Sequence, residues 1–145
     1  MSMPAWMLLG FAGWTLLLLV VTVGTYRWSH ILAGRRRISD FRADGTDGQD
    51  WYLRATRAHA NCIENLPVFG ALVFALEAVH AAGAAVDALA TIVLAARMAQ
   101  TLVHVGWRVS DRTVSLRFSF YLVQAVCFFA LGAIAVGHAW PGGMP

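Results

Sequence analysis

Four apolar runs, each long enough to cross a bilayer and separated only by short polar breaks, leave this chain few ways to fold. The first, from Ala5 to Gly24, contains no charged residue. About 20 apolar residues cross the hydrocarbon core as a helix. The runs predict helices over about 4–31, 51–80, 84–109 and 113–138, with a polar loop at about 34–50 between the first two. GRRRISDFRADGTDGQD interrupts the first pair, and the short turn AAGAA makes a hairpin of the second and third helices. Ser110 or Asp111 can cap the fourth. The expectation is one all-α membrane domain over residues 1–145, a four-transmembrane-helix bundle. Composition agrees, since charged residues make up 13% of the chain, against roughly 25% in soluble domains. MSMPAW has no basic n-region, so the first run is expected to remain as a span and not to be a signal peptide.

The eleven basic residues are all arginines, and their placement is uneven. Arg27, Arg35, Arg36, Arg37, Arg42, Arg54 and Arg57 flank or fill the first loop, and Arg108, Arg112 and Arg117 surround the third. Neither terminus nor the middle turn has any. The positive-inside rule then predicts cytoplasmic Arg-rich loops and outward termini. Arg35, Arg36, Arg37 and Arg42 are placed to meet anionic headgroups. Most of the six tryptophans fall near helix ends, as an interfacial aromatic belt does. Cys62 and Cys127 both lie in apolar segments and read as free buried thiols. The histidines have no metal-binding spacing, so no metal site is expected, and nothing points to nucleic acid.

The informative polar residues lie inside the spans. Arg54, Arg57, Asn61 and Glu64 recur at helical spacing in helix two, as do Arg97, Gln100, His104 and Arg108 in helix three and Arg117, Tyr121 and Gln124 in helix four. Each series shares one face. Glu64 lies roughly 20 Å into helix two and Arg97 roughly 18 Å into helix three, at ~1.5 Å per residue. A charge near the bilayer centre costs about 3 kcal/mol or more, so these two are expected to pair. Arg57, Arg97 and Arg117 against Glu64 still leave about two surplus positive charges. Guanidinium forks suit carboxylates, which makes the stripes one wall of an anion-binding cleft. Pro67 can bend helix two just beyond it.

The stretch GQDWYLRATRAHANCIENLP resembles the signature of the MAPEG superfamily, the membrane-associated proteins of eicosanoid and glutathione metabolism. Gly48, Tyr52, Arg54, Ala58, His59, Asn61, Cys62, Glu64 and Pro67 match it. The resemblance implies a homotrimer of four-helix subunits, with glutathione as co-substrate bent between neighbours near the cytoplasmic side. Residue by residue, it implies glutathione contacts from Arg57, His59, Asn61 and Glu64 in helix two, from Arg97, Gln100 and His104 in helix three, and from Arg35 at the end of helix one. Arg117 matches the arginine held to stabilise the thiolate, and Tyr121 an aromatic hydroxyl of the same site. Ala60 stands where some family enzymes have a further arginine. Gln100 and His104 stand where tyrosine or histidine is usual.

The expected function is a membrane-embedded glutathione transferase or peroxidase, in detoxification, acting on a hydrophobic electrophile or lipid hydroperoxide from the surrounding lipid. The alternatives are a non-catalytic lipid-binding protein on the same fold and a small transporter component. The expected location is a bacterial inner membrane.

Overall fold

The computed structural model describes residues 1–41 and 48–140. Arg42, one of the loop arginines, lies outside the described residues. Among the described residues, four helices long and apolar enough to cross a membrane run over Met3–Leu32, Asp50–Ala78, Ala84–Gly106 and Asp111–Ala139, and the chain is an integral membrane protein of all-α architecture.

Helix one starts on Ser2, whose hydroxyl accepts from Ala5 N at 3.2 Å, with a proline in the first turn where a missing N–H is harmless. The Ser2 hydroxyl also donates to the Glu77 carboxylate and ties the start of helix one to the end of helix two. Midway, Leu19–Gly24 widens into a π-turn. Thr22 and Thr25 donate to the carbonyls of Leu18 and Val21, four residues back, and so satisfy acceptors there.

Helix two ends with His80 in the left-handed region at φ 54°. The Ala81 N–H reaches the Leu76 carbonyl at 2.9 Å, and the His80 N–H reaches that of Glu77 at 3.1 Å. Both bonds serve carbonyls that a helix end would otherwise leave open in apolar surroundings. Helix three stops at Gly106, short of the Val109 limit read from hydropathy, because Trp107 is already extended. Helix four then begins at Asp111, capped by Ser110, whose hydroxyl accepts from Thr113 N and whose own N–H donates to the Thr113 hydroxyl oxygen.

The core lies on the side of the bundle where all four helices meet. Phe11, Phe69, Val73, Leu76, Val93 and Leu131 are its fully or nearly fully buried side chains. Only 22% to 39% of each apolar span is buried within the chain. The outward faces, with Leu16, Val20, Phe74 and Phe129 exposed, must meet lipid or another protein surface.

Candidate functional site

The first half of the helix-two motif is an anchor. Gly48 has φ +135°, and a Cβ there would stand 2.6 Å from a ring carbon of Tyr52. The glycine lets the chain fold down onto that ring. Tyr52 stacks on Tyr26 of helix one with centroids 4.1 Å apart, and its hydroxyl accepts from Arg27 Nε at 2.8 Å. Arg54 pairs with Asp50 one turn earlier and extends its other nitrogen to the Val105 carbonyl at the end of helix three. These contacts set the rotation and depth of helix two against helices one and three.

Beyond the anchor a cleft opens. It holds about 510 Å³ and is lined by Arg57, Asn61, Glu64 and Asn65 from helix two, Arg97, Gln100 and His104 from helix three, and Val114, Arg117, Phe118 and Tyr121 from helix four. That volume falls within the range of roughly 300–1,000 Å³ typical of small-molecule sites. The cleft lies at the end of the bundle where helix two enters, helix three leaves and helix four enters.

Eight of the ten residues singled out from sequence share this cleft: Arg57, Asn61, Glu64, Arg97, Gln100, His104, Arg117 and Tyr121. Arg35 and His59 do not line it. Arg35 is exposed beyond helix one, and His59 points from a different face of helix two than Arg57 and Asn61. Arg108 is exposed past the last turn of helix three. Asn65, Val114 and Phe118 complete the lining. Each is one helical turn from a residue already picked out, which is the signal that could have found them.

Arg97 is the unusual member. It is 1% exposed, its guanidinium lies 5.5 Å from the Phe11 ring centroid, and its Nε and Nη2 have no hydrogen-bond partner. The salt bridge expected between Glu64 and Arg97 does not form among the described residues. Helix one supplies the ring that draws the guanidinium inward, whereas Glu64 stays on the exposed wall. Gln100 donates from its amide to the Arg117 main-chain oxygen at 3.1 Å. Asn65 donates to the Asn61 carbonyl at 2.8 Å. Three guanidinium groups therefore face one carboxylate in a partly dehydrated space, a charge balance that favours an anionic guest.

A second, apolar groove of about 810 Å³ runs between helices two and four past Val68, Leu72, Phe128 and Phe129, and shares Asn65 and Tyr121 with the polar cleft. Cys62, fully buried, lies behind the cleft with its sulfur 3.7 Å from the Thr101 hydroxyl.

The MAPEG family model matches residues 3–137, nearly the whole chain. No curated protein and no solved structure matches.

Proposed function

The chain belongs to the MAPEG family, and on that premise we propose that it is a membrane glutathione transferase, with peroxidase activity toward lipid hydroperoxides. The observation that carries the reading is Arg97: a buried guanidinium with two unpartnered nitrogens, on a cleft with surplus positive charge, is prepared for a carboxylate. Glutathione supplies two carboxylates and a thiol. Arg57, Asn61, Gln100 and His104 surround the space such a peptide would fill, and Glu64 is placed for its ammonium group.

A free thiol has a pKa of about 8.5, so only a few per cent is thiolate at neutral pH. Arg117 sits in the second turn of helix four, where its charge favours the anion. The thiolate attacks an electrophile that enters along the apolar groove. A sulfur–carbon bond forms as the leaving group departs with its electron pair. Tyr121, common to the polar cleft and the groove, donates a hydrogen bond to the sulfur or to the electrophile. With a hydroperoxide, two glutathione molecules are oxidised to the disulfide while the peroxide is reduced to alcohol and water.

The proposed assembly is a homotrimer with Arg-rich loops on the cytoplasmic side. Arg35 and His59, away from the cleft of their own chain, would then reach glutathione only from a neighbouring subunit. Native mass spectrometry tests the assembly. Stopped-flow ultraviolet absorbance of the thiolate tests the chemistry: Arg117→Ala should lose the thiolate signal and keep most of the glutathione binding. Normal thiolate formation by that variant would remove the role given to Arg117. The size of the apolar groove favours one other reading, a lipid binder without thiol chemistry. Titration calorimetry separates the two, because a lipid binder takes up no glutathione.

A further inference from the structure

Gln124 of helix four does not line the cleft, yet it is 1% exposed and fully engaged as a donor. Its Nε2 donates to Gln100 Oε1 at 3.1 Å and to the Phe120 main-chain oxygen at 2.9 Å. Gln100 in turn donates from its own Nε2 to the Arg117 main-chain oxygen at 3.1 Å. The donors thus run in one direction, from Gln124 on helix four to Gln100 on helix three and back to Arg117 on helix four. The two carbonyls so held, of Arg117 and Phe120, belong to the turn that projects the Arg117 and Tyr121 side chains. We infer that Gln124 and Gln100 are a positioning pair that fixes the rotation of helix four and with it the place of the Arg117 guanidinium and the Tyr121 hydroxyl.

Amide pairs between membrane helices often serve as adhesion alone. Adhesion would be satisfied by Gln124 and Gln100 bonding to each other. The further bond to the backbone of Arg117 ties the pair to the residue whose charge faces the cleft. It also engages the Gln100 amide at both ends, so Gln100 acts on a ligand through Arg117 more than by direct contact. Small displacements matter here, because a misplacement of about 1 Å can cost on the order of a hundredfold in rate.

The inference rests on the glutathione reading, and its test keeps the two apart. The full-length protein in lipid nanodiscs would be titrated with glutathione across pH while thiolate absorbance is followed. Gln124→Leu is expected to raise the pH midpoint of bound thiolate by about one unit, a roughly tenfold loss of thiolate at fixed pH, with glutathione affinity changed by less than about threefold. Gln124→Met, which keeps the side-chain length, serves if the leucine variant does not assemble. Gln124→Glu, protonated in these apolar surroundings and still a donor to Gln100, is expected to restore the midpoint. Combining Gln124→Leu with Gln100→Leu should do no more than Gln100→Leu alone. A purely structural amide would lower the melting temperature and leave the midpoint where it was. Wild-type midpoints in both Gln124→Leu and Gln124→Met would overturn the positioning role. A wild type that forms no thiolate would overturn the reading of the cleft itself, and the role with it.

Discussion

Replacing Arg97 with methionine separates a side chain kept for the fold from one kept for a ligand. In the free protein the guanidinium is buried with Nε and Nη2 unpartnered. A central intramembrane charge costs about 3 kcal/mol on insertion scales, and a buried donor without a partner about 1–3 kcal/mol. These overlap and cannot be summed. Against them stands the contact with the Phe11 ring, worth about 1–2 kcal/mol when desolvated. Methionine keeps most of the buried stem, and its sulfur can meet the same ring for about 0.3–1.5 kcal/mol. Arg97→Met is therefore expected to stabilise the ligand-free protein by about 1–3 kcal/mol, or roughly 3 °C in Tm for each kcal/mol at this chain length. Binding should move the other way. Losing a hydrogen bond to a charged group costs about 1.5–3 kcal/mol, which is roughly a 10- to 150-fold weaker Kd for glutathione. At a glutathione concentration of about 100 times the wild-type Kd, the ligand adds about 2.7 kcal/mol to the wild type and, after a thirtyfold loss of affinity, only about 0.9 kcal/mol to the variant. Thermal unfolding in detergent with and without glutathione should thus show the variant melting higher alone and giving up about 1.8 kcal/mol of that lead when ligand is present. A variant that melts several degrees lower without ligand, and binds glutathione like the wild type, would show that Arg97 is retained for packing.

Four further outcomes test other parts of the structure. His80→Gly should raise stability by about 1 kcal/mol in thermal unfolding, because φ 54° burdens any side chain but glycine. Gly48→Ala should destabilise by about 2 kcal/mol or more, since its φ and the 2.6 Å approach to a Tyr52 ring held between Tyr26 and Arg27 leave the methyl no room. A drop in Tm with helical circular dichroism retained at low temperature would register it. Ser110→Ala removes the cap of helix four and should cost about 1 kcal/mol in the same assay. Activity of the wild type toward a hydrophobic electrophile should track the titration of bound thiolate and fall as pH drops below its midpoint, and Arg117→Ala should carry that fall to higher pH.

The faces of helices two, three and four were legible because each polar residue costs several kcal/mol in hydrocarbon, so residues that recur at three and four positions share a polar environment. Arg57, Asn61 and Glu64 belong to such a series, as do Arg97, Gln100 and His104. His59 belongs to the same motif but not to the same face. Two positions beyond Arg57, it is turned by roughly 200°, and proximity in a signature does not imply proximity in space. The partner of Arg97 was hidden for a different reason. Helix one has no charged stripe, and its inward side is marked only by Thr15 and Thr22, which share a face with Phe11 and are buried with it, a weaker signal than the charged series of the other helices. The stop at Gly106 carried a readable helix-end signal that hydropathy overrode, since Trp107 and Val109, on either side of Arg108, prolong the apolar pattern.

The division of the helix-two motif into an anchor and a wall explains why its spacing matters as much as its residue types. Tyr52 and Arg54 hold helix two to helices one and three near the bundle's end. Every later residue inherits its azimuth and depth from that attachment, at about 100° and 1.5 Å per position. Arg57, Asn61 and Glu64 then open onto the cleft, while Ala55, Ala58 and Cys62, on the opposite side of the same turns, are buried. A chain that displaced the anchor by one residue would keep its composition and its hydropathy, yet carry Glu64 out of the cleft by more than a quarter turn. The surroundings raise the stakes of that register. In low dielectric an aligned charge acts far more strongly than in water, and a misaligned one is correspondingly costly. The polar groups that give the cleft its surplus charge are therefore held by a fixed attachment at its entrance and, on helix four, by amides that grip the backbone itself.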